Sequence, residues 1–170
     1  MKIPKAVLVL ACALALPAPA ARAEELPPAV PLAACLEGGG FDAQAAEKFG
    51  ADGNGMKRYV IALLKRGPSR PIEPVRAREL QAAHLKNIQR LVEEGKLLVA
   101  GPFLGEGDLR GIYVFNVATL AEAKALTQTD PAVKAGSLVM ELEEWYGSAA
   151  LVAVPALHRR LSPPPAEAAR

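Results

Sequence analysis

The chain has 170 residues, of which 51% are hydrophobic, and its formal net charge is +2. This length fits one domain with additional terminal sequence. The basic residues Lys2, Lys5 and Arg22 lie in the first 23 positions, so the rest of the chain carries a net charge of −1. That balance excludes the strongly basic surface typical of a nucleic-acid-binding protein.

Residues 1–23 have the pattern of a cleavable secretory signal peptide. Two lysines precede an unbroken apolar run at 6–16, and the small-x-small sequence at 21–23 suits signal peptidase. The run is shorter than the roughly 20 residues that a membrane-spanning helix needs. We predict cleavage before Glu24, a periplasmic or secreted mature protein, and no stable membrane anchor after cleavage. An uncleaved anchor is the alternative.

Residues 24–55 are rich in alanine, proline and glycine, a composition that predicts a linker. Within it, Asp42 and Gly50 are placed to begin and end a short helix. Cys12 leaves with the signal peptide, so Cys35 is the single cysteine of the mature chain. The mature sequence therefore excludes an intrachain disulfide.

Residues 56–148 carry the signals of a folded domain. Short apolar segments bounded by glycine or proline predict strands, and longer periodic segments predict helices, in the order strand 58–65, helix 75–94, strand 96–103, strand 112–117, helix 119–128 and strand 138–145. This βαββαβ order predicts an α+β, ferredoxin-like fold with an antiparallel four-stranded sheet and two helices on one face. Residues 149–170 follow as a C-terminal extension that ends in a disordered, proline-rich tail.

The predicted strands are more apolar than a sheet with one wet face requires. Such a sheet alternates apolar and polar residues, yet 59–64 and 112–115 are apolar on both faces. Only the last strand alternates, with Glu141 and Glu143 on one side. A large apolar face marks an interface, so we predict a homodimer in which two sheets close face to face. The alternative is that residues 149–161 fold back over this face.

Two polar residues stand out in the predicted domain. His84 falls within the apolar stripe of the first helix, which is formed by Ala77, Leu80, Ile88 and Leu91. A histidine there is either a buried side chain with a hydrogen-bond partner or part of a cavity wall. Asp130 precedes Pro131 and can cap a short helix that ends at Gly136. The spacing alone does not show whether Asp130 faces His84.

The remaining charged residues and motifs indicate which kinds of binding site and catalysis the chain can support. Arginines crowd the segment before and at the start of the first helix, at Arg66, Arg70, Arg76 and Arg78. They form either a site for an anionic substrate, to which we assign Arg76, or a solvated charged surface. Arg110, among glycines, is interpreted as part of a turn. Two histidines and one mature cysteine without close spacing argue against a zinc site, and phosphate-loop and serine-nucleophile motifs are missing. We predict no metal and no cofactor.

Several short motifs occur in order along residues 56–147. They are Met56-Lys57-Arg58-Tyr59-Val60, Ala83-His84-Leu85, Glu94-Gly95-Lys96, Ala100-Gly101-Pro102, Thr129-Asp130-Pro131-Ala132 with Gly136 behind it, and Glu144-Trp145. In order and spacing they resemble a YCII-related domain, a member of the dimeric α/β-barrel group built on the ferredoxin-like unit. The resemblance does not extend to the leader, the linker or the tail.

The resemblance implies that His84 and Asp130 correspond to the histidine and aspartate of that family's active site, and it also implies a dimer. On this basis we predict an enzyme of the cofactor-independent lyase or isomerase class. His84 would be the general base, Asp130 would orient its imidazole, and Gly101 and Pro102 would shape the pocket that holds a small-molecule substrate. The alternative is a non-catalytic ligand-binding or structural module, and the sequence leaves the choice open.

Overall fold

The computed structural model describes residues 40–70 and 72–161. The predicted signal peptide, the first part of the linker with Cys35, and most of the proline-rich tail lie outside these residues. Within the described ranges, none of the helices combines the length and the apolar character needed to cross a bilayer.

The helices and strands follow the predicted order through the domain. Their bounds are α1 Ala43–Phe49, β1 Met56–Arg66, α2 Pro74–Glu93, β2 Leu97–Pro102, β3 Leu109–Phe115, α3 Leu120–Thr127, α4 Pro131–Lys134, β4 Leu138–Ser148, a 3₁₀ helix Ala149–Ala153 and α5 Val154–Leu161. Strands β1 and β4 are longer than predicted, with 11 residues each. The extra length arises because the two strands stay paired from Met56 opposite Ser148 to Arg66 opposite Leu138.

The four strands form one antiparallel sheet in the order β2-β3-β1-β4. Strands β1 and β3 are central, and each of the helices α2 and α3 connects two strands that are not neighbours in this order. This arrangement confirms the predicted α+β class and the ferredoxin-like βαββαβ topology.

The helix ends follow from local chemistry. The Asp42 carboxylate accepts a hydrogen bond from the Ala45 backbone N–H at 2.9 Å, and Gly50 ends α1 in the left-handed conformation with φ of 70°. The Thr119 hydroxyl oxygen accepts from the Glu122 N–H at 3.2 Å, and the same hydroxyl donates to the Glu122 carboxylate at 2.9 Å. Both caps were predicted from the sequence.

The main core lies between the sheet and the helices α2 and α3. Its fully buried side chains come from all these elements and include Val60, Leu91, Leu97, Tyr113 and Phe115. Alternate residues of β1 and β3 supply the sheet side of this core, as the twofold periodicity of a strand requires. The cavity described below opens at one end of the same layer.

The second face of the sheet carries a smaller apolar cluster of Tyr59, Leu98 and Val114, and Leu151 and Val152 from the 3₁₀ helix pack against it. The C-terminal segment thus covers part of this face, as the alternative to the homodimer anticipated. Leu63 and Ile112 pair across β1 and β3 outside this cluster and are only half-buried. The homodimer stays a prediction.

Candidate active site

The structure brings His84 and Asp130 together. His84 lies on the sheet-facing side of α2 and Asp130 lies just before α4, and both side chains are buried, with 7% and 1% exposure. The Nδ1 atom of His84 is 2.7 Å from the Oδ2 atom of Asp130. A carboxylate can only accept hydrogen bonds, so it favours the tautomer of a neutral imidazole that carries its proton on Nδ1. That tautomer leaves the Nε2 lone pair available to accept a hydrogen bond or a proton.

Asp130 also performs the capping role that the sequence suggested. Its Oδ1 atom accepts a hydrogen bond from the Ala132 backbone N–H at 2.8 Å, at the first turn of α4. Each carboxylate oxygen therefore has its own partner, which offsets part of the cost of burying the group. The two interpretations of Asp130 are not alternatives, because both hold at once.

Tyr113 completes a row of three polar side chains. Its hydroxyl oxygen lies 3.3 Å from the Nε2 atom of His84, and the two rings stack at 6.1 Å with 19° between their planes. Burial, with a smaller contribution from the negative charge of Asp130, raises the pKa of Tyr113 above its usual value. The phenol therefore stays protonated near neutral pH and can donate to Nε2. At 3.3 Å this hydrogen bond is long and hence weak.

A cavity of about 580 Å³ lies between α2 and the sheet, and both His84 and Tyr113 line it. Gly101 and Pro102, at the end of β2, form part of its wall. Most of the remaining lining is aliphatic, and includes Leu64, Ile72, Leu80, Ile88 and Leu138. The volume is in the range of sites that hold small organic molecules.

Two arginines also line this cavity. An Arg70 guanidinium nitrogen donates to the backbone carbonyl of Ser137 at 3.2 Å. Arg110 donates to the carbonyls of Gly105 and Gly107 at 3.2 and 3.3 Å. Arg110 thus holds the β2–β3 turn, as its sequence context suggests, and faces the cavity as well.

Arg76, to which the sequence analysis assigned substrate binding, is placed elsewhere. It lies in the first turn of α2, where its side chain is exposed and forms an ion pair with Glu79 at 3.2 Å. It is not part of the cavity lining. The structure therefore unites His84, Asp130, Gly101 and Pro102 at one site and leaves Arg76 outside it.

Close contact between two loops positions Arg70. The Gly67 N–H donates to the Ser137 carbonyl at 2.9 Å, and the Ser69 N–H donates to the Gly136 carbonyl at 3.0 Å. A Cβ atom on Gly67 would lie 2.1 Å from the Gly136 carbonyl oxygen, which is too close for any other residue. Gly136 itself has a φ of +67°. The backbone approach that these glycines permit fixes the start of the loop that carries Arg70.

Sequence reasoning did not identify Tyr113 and Arg110 as site residues, and it named Arg70 only as one of four arginines that form either a site for an anionic substrate or a solvated surface. For Tyr113 a signal was present, since the alternation of β3 places it on the same side as Phe115, facing the helices. No comparable signal marks Arg110 or separates Arg70 from the three neighbouring arginines, because the placement of Arg70 depends on loop contacts. Among the described residues, no three histidine, cysteine, aspartate or glutamate side chains cluster as metal ligands would.

A solved structure and a protein-family model both match the domain. The solved structure of 5-chloro-2-hydroxyhydroquinone dehydrochlorinase from Burkholderia phenoliruptrix AC1100, in complex with 2,5-dihydroxybenzoquinone, is 26% identical. That match covers 52% of this chain and 93% of the other, with a TM-score of 0.39. No curated protein matches the chain.

A model of the YCII-related domain matches residues 59–146, just over half of the chain. The matched range contains His84, Tyr113 and Asp130, together with nearly all of the four-stranded sheet. It also contains the motifs on which the resemblance was based, apart from residues 56–58 at the start of the first motif. This chain therefore belongs to the YCII-related domain family.

Proposed function

We propose that this protein is a small-molecule enzyme that transfers protons without a cofactor, in the manner of a lyase or an isomerase. The observation that carries the proposal is the environment of His84. Its Nδ1 atom is bound to a buried carboxylate, and its ring lines a cavity of about 580 Å³. A histidine held in one tautomer beside a space for a ligand has the geometry of a general base.

Asp130 supports this role in two ways. It keeps the proton of the neutral imidazole on Nδ1, so that Nε2 can accept a proton from the substrate. It also stabilises the imidazolium that forms, because an anion 2.7 Å from Nδ1 offsets the new positive charge. The carboxylate is held by the backbone of α4, so little rearrangement is needed during the reaction.

Tyr113 can serve both protonation states of His84. While the imidazole is neutral, the phenol donates to Nε2. After Nε2 has taken a proton, the phenol oxygen can accept a hydrogen bond from it instead. Because the contact is long, at 3.3 Å, a substrate group can replace it at low cost.

The proposed reaction starts with removal of a proton from a substrate carbon by Nε2 of His84. The electron pair of the broken C–H bond forms a double bond with the neighbouring carbon. In a lyase reaction that carbon expels a leaving group with its bonding electrons, and the imidazolium of His84 gives its proton to the leaving group or to water. In an isomerase reaction that carbon already carries a C=O or C=C double bond, whose π electrons move to the far atom of that bond, and the imidazolium returns the proton to that far atom. A substrate that fills the cavity would displace water from the aliphatic wall and so strengthen the electrostatic interactions at the imidazole.

Hydrogen exchange offers a test that needs no knowledge of the product. The protein is incubated in D₂O with a panel of small carbonyl compounds and hydroxylated aromatics, and deuterium incorporation at carbon is followed by NMR. We expect His84→Gln to lower exchange by roughly 10²–10⁴-fold, the usual contribution of a general base. His158→Gln is the matched control, because His158 is the second histidine of the chain and is exposed on α5.

Circular dichroism of both variants checks that they are folded. Undiminished exchange in folded His84→Gln contradicts the role of His84. If the wild-type protein binds some of the panel compounds but catalyses deuterium incorporation into none of them, the chain acts as the non-catalytic ligand-binding module instead.

We also propose that the protein acts as a homodimer after export. The half-buried Leu63 and Ile112 on the second face support the dimer, and the signal-peptide pattern of residues 1–23 supports export. Export is tested by expressing the full chain in a bacterium and measuring the mass of the periplasmic product. We expect a product that begins at Glu24, and an uncleaved cytoplasmic protein would contradict the proposal.

A further inference from the structure

We infer that the ligand of the cavity is an organic carboxylate whose anionic group is bound by Arg70 and Arg110. This inference rests on the proposed function, because it names the class of substrate that His84 would act on. It assigns a role to two arginines that the proton-transfer mechanism does not use.

The charge of the cavity lining supports an anionic ligand. Arg70 and Arg110 are the only permanently charged side chains in the lining, which contains no aspartate or glutamate. The ion pairs of the described residues involve Lys65, Arg76, Arg90 and the His84–Asp130 pair, and neither cavity arginine is among them. The cavity therefore presents two positive charges that no protein carboxylate neutralises within ion-pair distance in the described part of the chain.

Both guanidinium groups are held by backbone atoms. Arg70 is bound to the Ser137 carbonyl, and Arg110 to the Gly105 and Gly107 carbonyls. Carbonyl oxygens fix the position of a guanidinium without cancelling its charge. In each arginine these bonds use one terminal nitrogen, so other N–H groups of the planar fork are left for a ligand. Such preorganisation reduces the entropic cost of binding a carboxylate.

The rest of the cavity lining indicates the chemical character of the ligand outside its carboxylate group. Leu80, Leu85 and Ile88 of α2 and Leu64 and Leu138 of the sheet all line the cavity. These side chains offer apolar contact and no charge. A carboxylate with a compact aromatic or aliphatic body fits this wall, and the carbon that loses its proton would lie beside His84.

Binding measurements on the full-length protein test the inference without requiring turnover. Dissociation constants are measured by NMR titration for a panel that includes benzoate, phenylacetate and 2-oxo-4-methylpentanoate, each paired with its carboxamide. We expect at least one carboxylate to bind the wild-type protein about tenfold or more tightly than its amide, since a charge-assisted hydrogen bond is stronger than a neutral one. The preference should fall as the salt concentration rises.

Variants assign the preference to the two arginines. Arg70→Gln and Arg110→Gln should each weaken carboxylate binding about tenfold and leave amide binding unchanged. Arg110→Lys keeps the charge and should retain part of the preference, which separates charge from the turn that Arg110 supports. Arg159→Gln, on the exposed helix α5, is the matched control and should bind as the wild type does.

The results distinguish this inference from the proposed function. Equal binding of every carboxylate and its amide, or an unchanged preference in folded Arg70→Gln and Arg110→Gln, overturns the carboxylate site. The same titrations in His84→Gln show whether the site exists without proton transfer. If His84→Gln still prefers carboxylates to amides, and the wild-type protein catalyses no deuterium exchange, the anion site is supported and the catalytic proposal is contradicted. If deuterium exchange depends on His84 but no carboxylate is preferred over its amide, the catalytic proposal is supported and the anion site is contradicted.

Discussion

One carboxylate joins His84 to a helix end: Asp130 accepts from the imidazole at 2.7 Å through Oδ2, and its Oδ1 accepts from the first turn of α4 at 2.8 Å. The position of the imidazole is therefore tied to the backbone of α4. Substitutions at residue 130 can separate the electrostatic role of the carboxylate from its structural role.

Asp130→Asn should change the tautomer of His84 and preserve the fold. An asparagine can keep its oxygen on the Ala132 N–H, but its NH₂ group then points at Nδ1. The imidazole must accept there and carry its proton on Nε2, where it can no longer act as a base. We expect the ¹⁵N NMR signal of Nε2 to move to the range of a protonated nitrogen, and exchange activity to fall by roughly 10²–10⁴-fold.

Asp130→Ala is the comparison for this experiment. It removes the cap as well, so it should lower the free energy of unfolding by about 1 kcal/mol or more relative to Asp130→Asn. An unprotonated Nε2 in Asp130→Asn contradicts the proposed role of the carboxylate.

Because its pKa is raised in the folded protein, Tyr113 should cause the protein to lose stability in alkaline solution. Burial raises the pKa of this phenol above the ordinary tyrosine value of 10.0 in the folded protein. Above that pH the unfolded chain loses the proton and the folded protein keeps it, so the free energy of unfolding falls as pH rises. Tyr113→Phe removes this contribution, which has a limiting slope of about 1.4 kcal/mol per pH unit.

Urea unfolding of the wild type and Tyr113→Phe between about pH 8 and pH 11 measures the difference. We expect the difference in the free energy of unfolding between the wild type and Tyr113→Phe to be constant up to about pH 10. Above that pH the wild type should lose stability relative to the variant. A difference that does not change with pH contradicts the assignment of a raised pKa to Tyr113.

Gly67→Ala should destabilise the protein because its Cβ would lie 2.1 Å from the Gly136 carbonyl oxygen. Both atoms belong to backbone segments, so one loop must move. We expect a loss of about 1–3 kcal/mol in the free energy of unfolding, together with weaker carboxylate binding through the displacement of Arg70. Gly53→Ala is the control, since a Cβ there meets no atom within 4 Å. An equally stable Gly67→Ala protein would show that the loops separate easily.

Leu63→Lys should dissociate the proposed dimer. Leu63 is half-buried on the second face of the sheet, opposite Ile112 on β3 and Glu141 on β4. A lysine there would lie beside Glu141, which already pairs with Lys65, and in a monomer its charge would stay in water. In a dimer it would place a charge inside the interface between two sheets. Sedimentation should give a dimer for the wild type and a monomer for the variant.

Val75→Lys, at an exposed position in the first turn of α2, should remain dimeric. A monomeric wild-type protein at high concentration contradicts the face-to-face dimer. In that case the partial cover by Leu151 and Val152 is sufficient to protect the second face.

Local signals explain why the order of elements was predictable from the sequence. Caps such as Thr119 and Asp130, and the glycines that end helices, act on neighbouring residues, so their effects can be recognised without a structure. The stripe of α2 likewise placed His84 on the buried side. The lengths of β1 and β4 were underestimated, because strand pairing extends them past the apolar residues.

Long-range geometry explains what the sequence did not show. Asp130 faces His84 across 46 residues, and Tyr113 reaches it across 29. Arg70 rather than Arg76 lines the cavity, because its loop is held against residues 136 and 137. The sequence contains the glycines that permit this contact, but it does not reveal which of them meet.

The sheet separates two regions of the molecule. The imidazole and the cavity lie on its helix side, whereas Leu151 and Val152 pack on its other side. The cavity lining includes residues of all four strands, so an occupant of the second face can influence a bound ligand only by deforming the sheet between them. Thermodynamic coupling between self-association and ligand affinity should therefore be close to zero, so each can be changed independently by mutation or engineering.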